Sequence, residues 1–443
     1  MKKIFSTLSI LLLALYSLFA QADFYTHPDW AKSANIYEVN IRQYTKEGTF
    51  KAFEKQLPRL KKMGVNILWL MPIFPIGEAQ RKGSLGSYYA VKDYRAVNPE
   101  FGTLADLKAL VKDAHDMGFK VILDWVANHS APDNVLTKDH PNWYKHDSVT
   151  GKIIPPVADW GDVSGFNYAN HDLWVYQIEC MKYWIKEADV DGFRCDVAMM
   201  VPLEFWKRVR TELDKVKKVF MLAEGEGPEF HRNGFDMTYT WDLHHLLNQV
   251  AKGEKKAADI KKYMIHTDSI YQKDDYLMNF TSNHDENSWN GSEYERMGDA
   301  AKALAVLCAT MPGMPLVYTG QESGLAKRLK FFDKDTIDWK KFPLADFYKT
   351  LLTAKTQHAS LWNGSDGGSV EFITTGNPDV LAFIRKRDKD KLLVVINLSD
   401  KKQSSHYAVN RKLTDIFNGK ALELSGLNSA RMEPWGYGVY VIN

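Results

Sequence analysis

Apolar residues along this chain alternate between two periods, and their order predicts the architecture. In "TLADLKALVKDAHDMG", Leu104, Leu107, Leu110, Val111 and Ala114 recur at helical spacing. Thr103 precedes them as a cap, with Asp106 three residues on. Gly118 stops the run, and the short apolar strand "FKVILDW" follows at once. The same helix-then-strand unit returns as "FEKQLPRLKKMG" before "VNILWLMPI" and "VYQIECMKYWIKEADV" before "DGFRCDV". It returns again as "PLEFWKRVRTELDKVK" before "KVFMLAEG" and "RMGDAAKALAVLCATMPG" before "MPLVYTGQE". The strands are unbroken apolar runs, as expected for strands buried on both faces of a parallel sheet. With "ANIYEVNI", "FDMTYTWDL" and "YLMNFTSNHD" they make eight between residues 35 and 322. Eight such units over roughly 300 residues predict an α/β fold, a (β/α)8 barrel. An open doubly wound sheet could be built from the same units.

The pattern breaks in two places. Residues 130–170, after the third strand, are rich in Asp, Asn, Gly, Pro and Trp and predict an irregular insertion over the barrel mouth. After residue 350 the helical period fades. "SVEFITTGNPDVLAFIRKRDKDKLLVVINLSDKKQSSHYAV" alternates short strands with the turn signals Asn-Pro-Asp, Asp-Lys-Asp and Ser-Asp-Lys. The expected organisation is a barrel over 23–350 and a C-terminal antiparallel β-sandwich over 351–443.

Within the apolar strands sit charges that a core would not tolerate without a purpose. In "GFRCDVAMM", side chains alternate across the strand, so Arg194 and Asp196 share one face while Phe193, Cys195 and Val197 share the other. Burying two ions costs several kcal/mol each unless they are paired and hydrogen-bonded. Four strands end in a carboxylate: Asp124 in "VILDWVANH", Asp196, Glu224 in "FMLAEGE" and Asp285 in "NFTSNHD". Singly, each has a structural explanation as a helix cap, an ion pair or a solvated loop. All strand C-termini of a parallel barrel emerge on one face, however, so the four converge on one mouth. Paired carboxylates fit the splitting of a glycosidic bond, one attacking or stabilising the sugar cation and one protonating the leaving oxygen. Arg194 beside Asp196 favours the ionised form that a nucleophile needs. Glu224 follows "VFMLA" with no cation adjacent in sequence, which suits a general acid.

Composition adds little to this and contradicts none of it. Apolar residues are 45% and charged residues 25% of the chain, as in ordinary globular proteins. The start is different: "MKK", then the apolar run "IFSTLSILLLALYSLFA", then small residues at Ala20 and Ala22, read as a secretory signal peptide over 1–22. An uncleaved membrane anchor is the alternative, for which the run is short. Without Lys2 and Lys3 the chain carries 55 basic and 55 acidic residues, so nothing calls for nucleic acid or an anionic membrane as partner. Cys180, Cys195 and Cys308 are too few for a disulfide framework and are expected as buried thiols. Trp143, Trp160 and Trp289 lie in polar, loop-like contexts where flat rings suit the apolar faces of sugars.

"DWVANH", "GFRCDVA", "AEGE" and "FTSNHD" resemble, in order, the four conserved stretches of the α-amylase family of glycoside hydrolases, known also as family thirteen. "GSYYAVKDY" followed by "NPEFGT", and "GMPLVYTGQE", resemble its flanking signatures. The resemblance implies that Asp196 is the nucleophile, Glu224 the general acid/base and Asp285 the transition-state stabiliser. It implies that Arg194, His129 and His284 hold the sugar in the cleavage subsite, that Asp124 supports them and that Tyr89 stacks beneath that sugar. Many α-amylases carry Lys and His three and four residues after the nucleophile, reaching the leaving-group side; here those places are Met199 and Met200. That stretch is similar to the one in cyclomaltodextrinase and neopullulanase types. Asn128 matches a family calcium ligand, and Asp159 and Asp162 could complete a site; the alternative is that Asn128 only orders the loop. No organic cofactor is implied. The expected function is a secreted or periplasmic retaining hydrolase of α-1,4 links in starch-like glucans or maltooligosaccharides. A neopullulanase or cyclomaltodextrinase-like enzyme with transglycosylation, and a catalytically inactive glucan-binding relative, are the alternatives.

Overall fold

The computed structural model describes residues 25–339, 341–408, 411–424 and 427–443. The expected signal peptide lies outside the described residues. Eight parallel strands close into a barrel: β1 Ile36–Val39, β2 Ile67–Leu70, β3 Lys120–Trp125, β4 Gly192–Cys195, β5 Phe220–Ala223, β6 Met237–Tyr239, β7 Tyr276–Asn279 and β8 Met314–Tyr318. Each strand lies beside its neighbours in sequence, and β8 closes on β1.

The alternation of side chains decides what lies inside. Ile36, Ile67, Trp69, Ile122, Phe220 and Leu222 fill the barrel interior, whereas Tyr37, Leu68, Val121, Leu123, Phe193 and Met221 face the surrounding helices. The helices form where the sequence places them. Leu104–Asp116 begins with a reciprocal cap, Asp106 N–H to Thr103 Oγ1 at 3.2 Å and Thr103 N–H to Asp106 Oδ2 at 3.0 Å. The expected single helix in "FEKQLPRLKKMG" is two, Phe50–Glu54 and Leu57–Met63, because Pro58 suits the first turn of a new helix but not the interior of one. The three cysteines are free and buried, as expected.

Residues 126–170 form the insertion, held by a two-residue antiparallel pair, His129–Ser130 with Ser164–Gly165. Trp143, expected as an exposed loop ring, is instead buried there, stacked on His140 with centroids 4.0 Å apart. Past the barrel, strands β9 Ser369–Phe372, β10 Val380–Arg387, β11 Asp390–Asn397, β12 Gln403–Ala408, β13 Arg411–Asp415, β14 Ala421–Leu424, β15 Leu427–Met432 and β16 Tyr437–Ile442 follow. Six make an antiparallel sheet in the order β9-β10-β11-β16-β13-β14, and β12 with β15 make a separate ribbon. One face of the sheet, with Leu381, Phe383, Leu392 and Val394, packs on Leu304, Leu307 and other helical residues of the barrel. The opposite face gathers Val380, Ala382, Leu393 and Val395 with Met432 of the ribbon, an unequal sandwich. The helix Ala345–Gln357 crosses residue 350 and belongs to both halves: Tyr348 and Leu352 join the barrel core, Leu351 and Ala354 the core under the sheet. Buried Lys355 and Arg385 stitch the same seam. Lys355 Nζ donates to the Gly313 and Leu361 carbonyls, and Arg385 Nη1 to the Thr310 carbonyl at 2.7 Å. Among the described residues no helix is long and apolar enough to cross a membrane.

The strand that carries Arg194 depends on its first residue. Gly192 has φ +158°, and a Cβ there would lie 1.9 Å from the Phe220 carbonyl oxygen of β5. Gly192→Ala is expected to destabilise the fold by about 3 kcal/mol, the upper range for overpacking. A urea melt checks this against Gly161→Ala, where an added methyl meets nothing within 4 Å and the midpoint should hold.

Candidate active site

Inward-pointing positions at the ends of the strands build the site. β3 and β4 pair with Asp124 opposite Arg194, so the two side chains stand next to each other inside the barrel. Arg194 is completely buried. Its Nη1 donates to Asp124 Oδ1 at 2.9 Å and to Asp196 Oδ1 at 3.0 Å, and its Nε donates to the Tyr239 hydroxyl at 3.2 Å. Its Nη2 stands 2.9 Å from Glu224 Oε2. One guanidinium therefore spans three carboxylates, with Trp69 beneath it at 5.0 Å from the ring centroid. Glu224 Oε2 also accepts the Val197 N–H at 2.6 Å.

A second cation serves the other half of the mouth. His284 Nδ1 donates to Glu38 Oε1 at 2.5 Å, and its Nε2 lies 2.8 Å from the Tyr89 hydroxyl and 3.2 Å from Asp285 Oδ2. Burial opposes charge on this ring, but Asp285 and Glu38 outweigh it and push His284 up to about 9. Tyr89 joins the halves, its hydroxyl 3.2 Å from Asp124 Oδ2. His129 has no such partner, and burial pulls it down to about 3, so the ring is neutral. Burial also raises Asp124 and Asp285, against the pull of Arg194 and His284 respectively.

Asp196 departs from the sequence expectation. Burial and the Glu224 carboxylate push it well above the ordinary range, against the pull of Arg194. Arg194, shared among three carboxylates, does not outweigh them. Val197 departs as well. It takes a left-handed backbone, φ +36° and ψ +47°, so β4 ends before it and its side chain lines the cleft instead of the outer face. A β-branched residue in that conformation stores strain of order 1–3 kcal/mol, here where its N–H reaches Glu224.

Above these groups opens a cleft of about 580 Å³. Tyr89, His129, Asp196, Glu224, His284 and Asp285 all line it, so six of the residues nominated from sequence converge there. Arg194 and Asp124 lie beneath, both completely buried, and hold the lining residues rather than presenting themselves. Asp285 reaches the mouth from further away than expected: β7 stops at Asn279, and Asp285 immediately precedes a five-residue π-helix, Glu286–Asn290. Met199 and Met200 are 53% and 36% exposed on the rim and are not among the cleft-lining residues. Asn128 is buried with its amide turned to His129 Nδ1 at 3.2 Å. Asp162 Oδ1 and the Asp159 carbonyl both face the Lys82 ammonium, at 2.9 and 3.0 Å. Set out in this way around a lysine, the insertion oxygens do not fit a calcium ion shared with Asn128.

Sequence reasoning passed over Glu38, Lys82, Phe331 and Phe332. Glu38 had the same signal as Arg194, a charge at an inward position of the apolar run "IYEV". Lys82 sits in a Gly- and Ser-rich loop with no periodicity to mark it.

The family described as "Alpha amylase, catalytic domain" matches residues 25–150 and 158–421. An α-amylase from Lactobacillus plantarum of known structure is 31% identical, with TM-score 0.84, covering 93% of this chain and 99% of that one. A maltogenic α-amylase, AmyB from Thermotoga neapolitana, is 30% identical, with TM-score 0.85, covering 94% and 100%. Alpha-amylase MalA of Haloarcula japonica is 28% identical over 415 residues, 89% of this chain but 60% of that relative's length.

The His284 network makes a titration testable. His284 is raised above its unfolded value, so its contribution to stability is complete below pH ~6.5 and is lost as pH rises through about 9. NMR of ring-labelled protein should show one histidine titrating near 9. Glu38→Gln should drop that midpoint toward the ordinary ~6.5, because one of the two balancing carboxylates is gone.

Proposed function

This chain belongs to the α-amylase family of glycoside hydrolases, and on that premise we propose that it cleaves α-1,4 links of glucans with retention of configuration. The observation that carries this reading is the single Arg194 guanidinium reaching both Asp196 and Glu224, which keeps the two carboxyls close across one sugar. Retaining enzymes need their carboxyls about 5 Å apart, because one attacks the carbon whose leaving oxygen the other protonates.

Burial and the neighbouring Glu224 carboxylate raise Asp196, since like charges this close do not both ionise cheaply. Attack uses the form with the proton on Glu224 and the charge on Asp196, supported by Arg194. The Asp196 oxygen bonds to the anomeric carbon as the glycosidic C–O bond breaks, and the Glu224 proton goes to the departing oxygen. Glu224, now ionised, takes a proton from the incoming water, whose oxygen displaces Asp196. Asp285, anchored on charged His284, and the neutral His129 ring hold hydroxyls of the sugar, with Tyr89 beneath it. Cyclomaltodextrinase-like action is a second reading. Met199 and Met200 favour it, since these exposed apolar side chains, three and four residues after Asp196, would orient a leaving sugar weakly. A Bacillus sp. cyclomaltodextrinase is 25% identical over 441 residues. The amino-terminal segment read as a signal peptide supports action outside the cytoplasm.

Stereochemistry tests the assignment directly. NMR of maltooligosaccharide hydrolysis should show the α-anomer first, followed by mutarotation; early β-anomer would rule out double displacement. A second test separates the roles. Asp196→Asn and Glu224→Gln should each remove all but about one part in a thousand of turnover on maltooligosaccharides. On an activated aryl or fluoride glycoside, Glu224→Gln should still form the glycosyl-enzyme, visible by mass spectrometry, and Asp196→Asn should not.

A further inference from the structure

The cleft is built unequally. Apart from Asp196, Val197 and Glu224, every residue lining it comes from the loops after β2, β3, β7 and β8. With β1 between β8 and β2, these are consecutive staves on one side of the barrel. No residue between Glu224 and His284 lines the cleft, so beyond Glu224 the side of β5 and β6, here called the low side, adds no wall to it.

The high side is a continuous band of contacts across three loops. Trp160 meets the His129 ring at 5.6 Å, and Asp162, two residues on, pairs with Lys82 at 2.9 Å. The Lys82 ammonium lies 6.0 Å from the Phe332 ring centroid, and Phe332 meets Trp289 at 5.6 Å. Backbone and side chain lock the same junction: Leu85 N–H donates to the Phe332 carbonyl at 2.9 Å, and Ser84 donates to Asp333 Oδ1 from both N–H and hydroxyl. Phe331 closes the circuit onto Tyr89, the two rings nearly parallel at 6.2 Å. Lys82 joins the insertion to the β8 loop, through Asp162 on one side and Phe332 on the other.

The chemistry orients a chain in this space. Glu224 protonates the departing oxygen, so the leaving portion lies on the low side, toward β5 and the exposed Met199 and Met200. The glycosyl portion that becomes bound to Asp196 lies on the high side. We infer, resting on the proposed α-glucan reading, that the high side is a closed end receiving the non-reducing terminus of the chain, with Lys82 as the residue that closes it. The enzyme is then exo-acting and cuts a short unit of fixed length from that terminus. Two of the three ammonium protons are committed to Asp162 and Asp159, which leaves one N–H for a hydroxyl of the terminal sugar. Trp160 and Trp289 flank it with flat, apolar surface suited to sugar faces.

Two maltoheptaosides test this, one with a free non-reducing end and one with its terminal 4- and 6-hydroxyls bridged by an ethylidene group, with products followed by mass spectrometry. The free substrate should yield one dominant short maltooligosaccharide from the earliest times, and the blocked one should be cut about tenfold more slowly or worse. Lys82→Ala should narrow that ratio by opening the end. Phe332→Ala, which removes the other side of the same closure, should narrow it too and serves if the first variant folds poorly. Equal rates on both substrates overturn the closed end while leaving the α-glucan reading intact. Hydrolysis of neither substrate overturns that reading, and this inference with it. A ratio unchanged in both variants overturns the role of Lys82.

Discussion

Arg194 is the interaction on which the rest of the site depends. A guanidinium presents donors in a fixed plane, and here that plane is spent on Asp124, Asp196, Glu224 and the Tyr239 hydroxyl together. Removing any one carboxylate would leave a buried donor unmatched, and removing the arginine would strand three buried carboxylates. Sharing also limits what the cation can do. It ties Asp196 and Glu224 together under the cleft, but its pull does not offset the burial of Asp196.

The second cation, His284, works differently. It is charged because two carboxylates face its two nitrogens, and its link to the first cluster runs through one neutral hydroxyl, Tyr89. Two cations bridged by a phenol make a rigid floor under the cleft. The strained Val197 completes it by turning its N–H onto Glu224.

The frame and most of the floor were legible in the sequence because period and parity are local properties. "VILDW" and "GFRCD" reveal their inward charges to anyone who counts by twos, and the structure places those charges inward. "IYEV" carried the same mark at Glu38, which reading the strand ends alone overlooked. What local pattern could not reach was the partnership of distant loops. Lys82 meets Asp162 and Phe332 only after β2, β3 and β8 have closed, and no spacing in the chain records that. The charge state of Asp196 was hidden for a similar reason: the sequence displays one neighbouring arginine, not the competitors for it. The reach of β7 was overestimated because "NFTSNHD" stays apolar and polar by turns well past the last ladder bond at Asn279.

The seam between barrel and sheet bears on how such proteins can be recombined. Arg385, a residue of the sheet, ends in the Thr310 carbonyl at the close of a barrel helix, and Lys355 satisfies the Gly313 carbonyl just beyond it. Among the described residues neither cation has a carboxylate partner, and burial pulls Arg385 down to about 9. The sheet and the shared helix thus supply donors that the barrel's carbonyls need. A chimera joined at residue 350 would cut the shared helix and orphan buried carbonyls in the barrel. The transferable cassette begins after Gln357, and whatever sheet replaces this one has to bring its own donors for Thr310.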